Sequence, residues 1–199
     1  MWIKDDVLQG EVVLLEPLAL EHTDSLIKLS KEGGLWELWY TTVPKSDAME
    51  DYVKTAIRNR RHGDLAYVVR SKFNHQIIGT TRYYNVDEKN RRVMIGFTWY
   101  ANSVRRTPVN TECKWLLLNN IFEKYNAIAV EFRTHYFNQD SRKAIERLGA
   151  KQDGVLRSHK IMPDGSLRDT VVYSIIASEW PAVKCHLQSK MHLPHPSSS

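Results

Sequence analysis

Residues 92–136 read RVMIGFTWYANSVRRTPVNTECKWLLLNNIFEKYNAIAVEFRTHY, and the change of pattern inside them decides the fold. Arg92–Tyr100 is rich in β-branched and aromatic residues and predicts a strand. From Asn110 to Tyr125 the residues Cys113, Leu116, Leu117 and Ile121 recur at helical spacing. Ala127–Tyr136 then alternates, Ile128, Val130 and Phe132 against Ala129, Glu131 and Arg133, as a half-buried strand does. A strand–helix–strand crossover in one sheet is parallel and right-handed. Ligands favour the C-terminal ends of such strands, which directs attention to Tyr100–Thr111.

Upstream, Leu65–Ser71, Gln76–Tyr84 and Arg92–Tyr100 form an expected antiparallel meander, turning at Asn74-His75 and Asp87–Asn90. Before it, Met49, Tyr52, Val53, Ala56 and Ile57 mark an amphipathic helix that ends at Gly63, with Asp47 and Glu50 as a capping pair. Glu11–Pro17 predicts a strand, and Glu21–Gly34 a helix with Leu26, Ile27 and Leu29 inward and a stop at Gly33-Gly34. Downstream, Asn138 opens a helix over Gln139–Leu148 that closes at Gly149. Strands at Gln152–Ile161 and Thr170–Ala177 join through Pro163-Asp164-Gly165, and Ala182–Lys190 is a final helix. The order β-α-α-β-β-β-α-β-α-β-β predicts an α/β (α+β) fold with a mixed, mostly antiparallel sheet flanked by helices.

A chain of 199 residues, 42% hydrophobic and 26% charged, fits one core and is short for two, so one domain is expected over 1–190 with a disordered tail over 191–199. No apolar run approaches the roughly 18–20 residues of a membrane helix. Asp5, Asp6 and Glu11 interrupt the start where a secretory signal needs an apolar segment, which points to the cytoplasm. Cys113 and Cys185 form no Cys-x-x-Cys arrangement, so no metal is expected. Lys and Arg number 28 against 23 Asp and Glu, and the net +5 favours an anionic ligand. The basic residues are scattered (Arg58, Arg60, Arg61; Arg91, Arg92; Arg105, Arg106), unlike the dense stripe of a nucleic-acid binder. Trp36, Trp39 and Tyr40 cap the core, line a substrate groove or lie beneath a second copy in a homodimer.

The segment 101–111, ANSVRRTPVNT, lies between a strand and a helix, where free N–H groups and the positive dipole end make an anion site. Arg105 and Arg106 add groups able to grip phosphate in bidentate fashion; the competing reading is a solvated loop.

Four blocks go further: IGTTRYYNVDEKNRRVMIGFTWY (78–100), VNTECKWLLLNNIF (109–122), FNQDSRKAIERLGAKQDGVLRSH (137–159) and DGSLRDTVVYSIIASEWPAVK (164–184). Together they resemble the GNAT acetyltransferases, specifically the RimJ/RimL-like protein N-acetyltransferase branch, from about Gln9 to Leu187. The resemblance implies acetyl-CoA as cosubstrate, no metal, and an amine acceptor such as a protein N-terminal Ser, Thr or Ala or a small molecule. It implies that Phe97, Thr98, Trp99 and Tyr100 carry the pantetheine, and that Arg105, Arg106, Thr107, Val109, Asn110 and Thr111 face the pyrophosphate. The family's loop runs Q/R-x-x-G-x-G/A, and Pro108 and Asn110 stand here at its two glycine positions. Pro108 offers no N–H, and Asn110 and Thr111 are expected to compensate with side-chain donors while capping the helix. Asn138 matches the family's Asn, Ile145 stands where many members place a Tyr, and Ser141 matches the branch's thiol-side Ser. Ser141 is either that donor or a first-turn helix residue.

Acetyl transfer needs a neutral amine, an oxyanion donor and a proton acceptor. A backbone N–H on Trp99–Tyr100 suits the second role. His159 suits the third, standing near where the branch has a glutamate, with Asp169 and Glu112 as alternatives through a water. The alternative function is a GNAT-fold protein that binds acyl-CoA or a partner with weak or no catalysis.

Overall fold

The computed structural model describes residues 2–32 and 43–192. The expectations for Gly33-Gly34, for Trp36, Trp39 and Tyr40, and for 193–199 lie outside the described residues.

Eight strands form one sheet: β1 (Leu8–Gln9), β2 (Val13–Pro17), β3 (Leu65–Ser71), β4 (Ile77–Asp87), β5 (Arg92–Tyr100), β6 (Ala129–His135), β7 (Lys151–Ile161) and β8 (Leu167–Ile176). Their order is β1-β2-β3-β4-β5-β6-β8-β7, and every neighbouring pair is antiparallel except β5 and β6. The expected meander, crossover and mixed sheet are therefore present. β1 was not expected; its two residues carry too little pattern to read.

The parallel pair is short. Arg92, Val93 and Met94 face Ala129, Val130 and Glu131, and there the pairing stops. β5 continues against β4 as far as Tyr100 opposite Gly79, while β6 continues against β8 as far as His135 opposite Thr170. Each strand keeps its other neighbour, so the sheet opens between them beyond Met94 and Glu131.

Among the described residues five helices cover the sheet: α1 (Thr23–Lys31), α2 (Met49–Asn59), α3 (Val109–Asn119), α4 (Gln139–Arg147) and α5 (Trp180–His192). On one face Leu26, Leu29, Met49, Val53 and Ala56 of α1 and α2 pack with Val68 and Trp99. On the other, Cys113, Leu117 and Ile121 pack with Tyr67, Tyr83, Ile95, Val130 and Phe132, and α4 and α5 add Ile145, Val183 and Leu187. Burying an aliphatic or aromatic side chain of this size is worth about 1.5–3 kcal/mol, which outweighs the weak intrinsic propensity of these short helices. The Tyr83 hydroxyl donates to the Leu117 carbonyl at 2.5 Å and stitches sheet to helix.

Glu112 ties α3 to the first hairpin. Its carboxylate accepts the backbone N–H groups of Glu11, Val12 and Val13 at 2.7, 2.9 and 2.8 Å. A Cβ on Gly10 would stand 2.5 Å from that carboxyl carbon, so the contact requires glycine.

Several boundaries differ from expectation. Asp47 does not cap α2: it lies inside a 3₁₀ turn over Ser46–Ala48, and Ala48 at the N-cap offers no side-chain acceptor. Asn110 and Thr111 do not cap α3, which begins one residue earlier at Val109; instead the Thr107 hydroxyl donates to Val104 O at 2.6 Å and faces Val109 N at 3.4 Å. α3 runs on as a π turn over Asn120–Lys124. α5 takes in Met191 and His192, expected in the tail.

Candidate active site

At the mouth of the opening the β4–β5 register slips. Arg82 faces Gly96 and Thr80 faces Trp99, so Phe97 and Thr98 together oppose Thr81 in a bulge, with Phe97 at φ +51°. The hydroxyls of Thr81 and Thr98 are 2.9 Å apart, and Thr80 Oγ1 donates to Phe97 O at 3.1 Å. Lys114 reaches up from α3, its Nζ donating to Thr98 Oγ1 at 2.6 Å and Thr81 Oγ1 at 3.0 Å. It is 5% exposed, and among the described residues it has no carboxylate partner. Burial lowers its pKa to about 8. Lys114 was not singled out from the sequence, although a lysine inside the apolar run CKWLLL was the available signal.

On the α1–α2 face of the bulge, Tyr84 lies over Gly96: a Cβ there would meet the tyrosine ring at 2.8 Å. Its ring is edge-on to Phe97, centroids 5.0 Å apart. Burial raises the Tyr84 pKa and keeps its hydroxyl protonated. The buried Arg82 guanidinium stacks over Phe97 at 4.2 Å and Tyr52 at 5.3 Å. Across the opening Glu131 is held by Arg133 and, at 3.8 Å, by Arg92.

The expected site residues fall into three groups. Phe97, Thr98 and Trp99 lie on β5 past the end of its pairing with β6, so their edge toward the opening carries no strand partner among the described residues. Arg105, Arg106 and Thr107 are exposed just before α3, with Val109, Asn110 and Thr111 in its first turn, and no side chain caps that helix. Asn138 does cap α4, its Oδ1 accepting from Ser141 N at 3.0 Å. The half-buried Ser141 hydroxyl makes no hydrogen bond among the described residues.

Because β5 and β6 run parallel, α3 and α4 begin at the same end of the sheet, one on each side of the opening. Two helix N-termini thus converge there with their positive ends, and α3, whose N-cap makes no side-chain hydrogen bond, also presents free N–H groups.

His159 lies elsewhere. It sits on β7, two strands beyond β6, with Nδ1 3.0 Å from Thr170 Oγ1. Burial, then the charges of Lys160, Arg133 and Arg168, lower its pKa, so it is neutral at pH 7. Thr170 pairs with His135, on the α1–α2 face, whereas Arg142 of α4 bonds Tyr173 on the opposite face at 3.1 Å. Ser141 and His159 therefore approach from opposite sides of the sheet. Glu112 is taken by its three N–H partners, and Asp169 Oδ1 accepts from Ser158 N at 2.7 Å across the β7 bulge. Cys113 is buried, with its thiol pushed up to about 12; Cys185 is exposed. No helix among the described residues is long and apolar enough to cross a membrane, and no three metal-binding side chains gather there.

A sheet split between two parallel strands, with both following helices starting at the split, defines an α/β protein with an anion-favouring cleft. Residues 13–151 match the acetyltransferase (GNAT) domain, and the chain belongs to that family of acetyl-CoA-using acetyltransferases. Its structure is similar to a GCN5-related N-acetyltransferase from Brucella melitensis at 26% identity, with a TM-score of 0.89 over 100% of this chain and 90% of that one. It shares its fold with RimJ of Mycobacterium smegmatis, solved with CoA-disulfide, at 20% identity and a TM-score of 0.79 over 94% and 95% of the two chains. It also shares it with the microcin C7 self-immunity acetyltransferase MccE, solved with acetyl-CoA and AMP, at 18% identity and 0.73 over 84% and 93%. No curated protein sequence matches the chain. The residues present suit acetyl-CoA: an unpaired strand edge for the amide-bearing arm, an uncapped helix start flanked by two arginines for the phosphates, and an unpartnered serine hydroxyl at the second helix.

Proposed function

We propose that this chain transfers the acetyl group of acetyl-CoA to a primary amine in a ternary complex, as a RimJ/RimL-like enzyme acting on N-terminal Ser, Thr or Ala. The observation that carries this is the convergence of α3 and α4 on the opening between β5 and β6. Acetyl-CoA supplies the activated acyl group. Arg105, Arg106 and the N–H groups of Asn110 and Thr111 bind its phosphates, and the free edge of Phe97, Thr98 and Trp99 aligns its arm. The amine nitrogen bonds to the acyl carbon as the carbon–sulfur bond breaks. His159, neutral and on the acceptor side, takes the amine proton through water, while the Ser141 hydroxyl donates toward the departing sulfur. Lys114 fixes the bulge against which the acyl group rests.

The test is mass detection of products from acetyl-CoA with peptides beginning Ser, Thr or Ala and with small amines. The expected result is a single acetyl group on the α-amine of at least one peptide. Acetyl-CoA binding with no acetylated amine in any reaction would overturn the proposal.

A further inference from the structure

On one side α3, α4 and α5 pack against the sheet, and on the other α1 and α2 pack against Val68 of β3 and Trp99 of β5; the acceptor amine is taken to enter beside α1 and α2, over β6 and β8. There β6 presents Glu131, Arg133 and His135, and the register sets Ser174, Val172 and Thr170 of β8 beside them. Arg168 continues that row, opposite Lys160 of β7. Among the described residues the charges on this face do not balance. Arg82 lies near Asp64, which lowers that carboxyl's pKa against the rise from burial. Arg92 and Arg133 share Glu131.

Arg168 is different. It is half-buried, its Nε donates to Thr170 Oγ1 at 3.0 Å, and among the described residues it has no carboxylate partner. The adjacent Asp169 spends one oxygen on Ser158 N. Among the described residues the two terminal nitrogens of Arg168 have no hydrogen-bond acceptor. A partly desolvated guanidinium with an open fork is matched by a planar, singly charged carboxylate. The surroundings add a neutral donor in the Tyr84 hydroxyl, and among the described residues no carboxylate makes an ion pair with Arg168. Tyr84 is also near enough to Arg168 for the two to influence each other's ionisation, and its ring covers Gly96 at the bulge.

We infer that the acceptor carries a carboxylate close to its reactive amine, and that Arg168 is the specificity-determining residue that holds it. This rests on the reading of the chain as an amine acetyltransferase. The carboxylate belongs either to a free amino acid or to an acidic residue next to a peptide N-terminus, and both offer the same fork-on-fork contact.

Two matched pairs separate these sources: serine against serinamide, and Ser-Glu-Ala-Ala against Ser-Gln-Ala-Ala, both peptides C-terminally amidated. Acetylation by the wild type is expected to favour the acidic member of one pair at least 10-fold in kcat/KM, mainly through KM. Arg168→Gln should bring that pair within 2-fold, Arg168→Lys should fall between, and neither should change the Kd for acetyl-CoA. Equal use of both members of both pairs, or a preference that survives Arg168→Gln, would overturn the inference while leaving acetyl transfer intact. If no amine is acetylated, the transferase reading fails, and calorimetry of the same four compounds on CoA-loaded protein still decides the carboxylate site. Tighter binding of an acidic member that Arg168→Gln abolishes supports it, and equal binding overturns it.

Discussion

Lys114 Nζ stands 2.6 Å from the hydroxyl of Thr98, so a buried cation on α3 holds the β5 bulge at the edge of the opening. Two hydroxyls replace the carboxylate that usually balances such a charge, and the ammonium is retained at the expense of stability.

The sign of that expense is fixed. The Lys114 pKa is lowered from 10.5 to about 8 in the fold, so the unfolded chain binds the extra proton between those values. Stability therefore rises with pH across that window and is flat with respect to this group below it. Denaturant titrations of wild type and Lys114→Met should show their difference moving toward the wild type by up to about 3 kcal/mol from pH 8 to 10.5. An unchanged difference would contradict the burial of a protonated amine.

Glu112 is expected to be structural. Glu112→Ala orphans three N–H groups at the first hairpin and should cost about 2–4 kcal/mol in chemical unfolding. Gly10→Ala should lose stability through the same contact, and the double variant should lose less than the sum.

Asn138 and Ser141 should separate cleanly. Asn138→Ala removes a helix cap and should cost about 1 kcal/mol. Ser141→Ala should change stability by less than about 0.5 kcal/mol and lower kcat and kcat/KM together by about 10-fold or more, as loss of a contact made in the transition state does.

The pH profile tests His159. Its pKa is lowered from 6.5 by burial and neighbouring cations, so the neutral, proton-accepting form persists below that pH. The α-amine of the acceptor titrates at about 7.7–8.0 and bends kcat/KM once; His159 should add a second bend below pH 6.5 that disappears in His159→Gln. A second bend that survives the substitution assigns the proton to another group.

The meander and the crossover are legible in the sequence because their signals are local: alternation in β3 to β6, turn residues between them, and the Cys113–Ile121 stripe of α3. Asn138 is legible for the same reason, since a cap acts within one turn. The bulge is not. Gly96 marks a weak point in the strand, yet only the register with Thr80 and Arg82 places Phe97 at positive φ. Glu112 reaches residues about a hundred positions upstream, beyond any local pattern. The face that His159 takes depends on a bulge around Ser158, φ +47°, where Arg157, Ser158 and His159 of β7 stand against Asp169 alone, and no local pattern gives that count.

The central claim is that the opening between β5 and β6, with Arg105 and Arg106 at its phosphate end, is an acetyl-CoA site despite Pro108 and Asn110. Titration of the wild-type protein with acetyl-CoA, read as unfolding temperature, tests it without knowledge of the acceptor. At 100 times Kd the ligand should add about 2.7 kcal/mol to stability. The rise in Tm should be smaller in Arg105→Ala/Arg106→Ala and should weaken with salt. No rise with acetyl-CoA, CoA or a longer acyl-CoA would contradict the account.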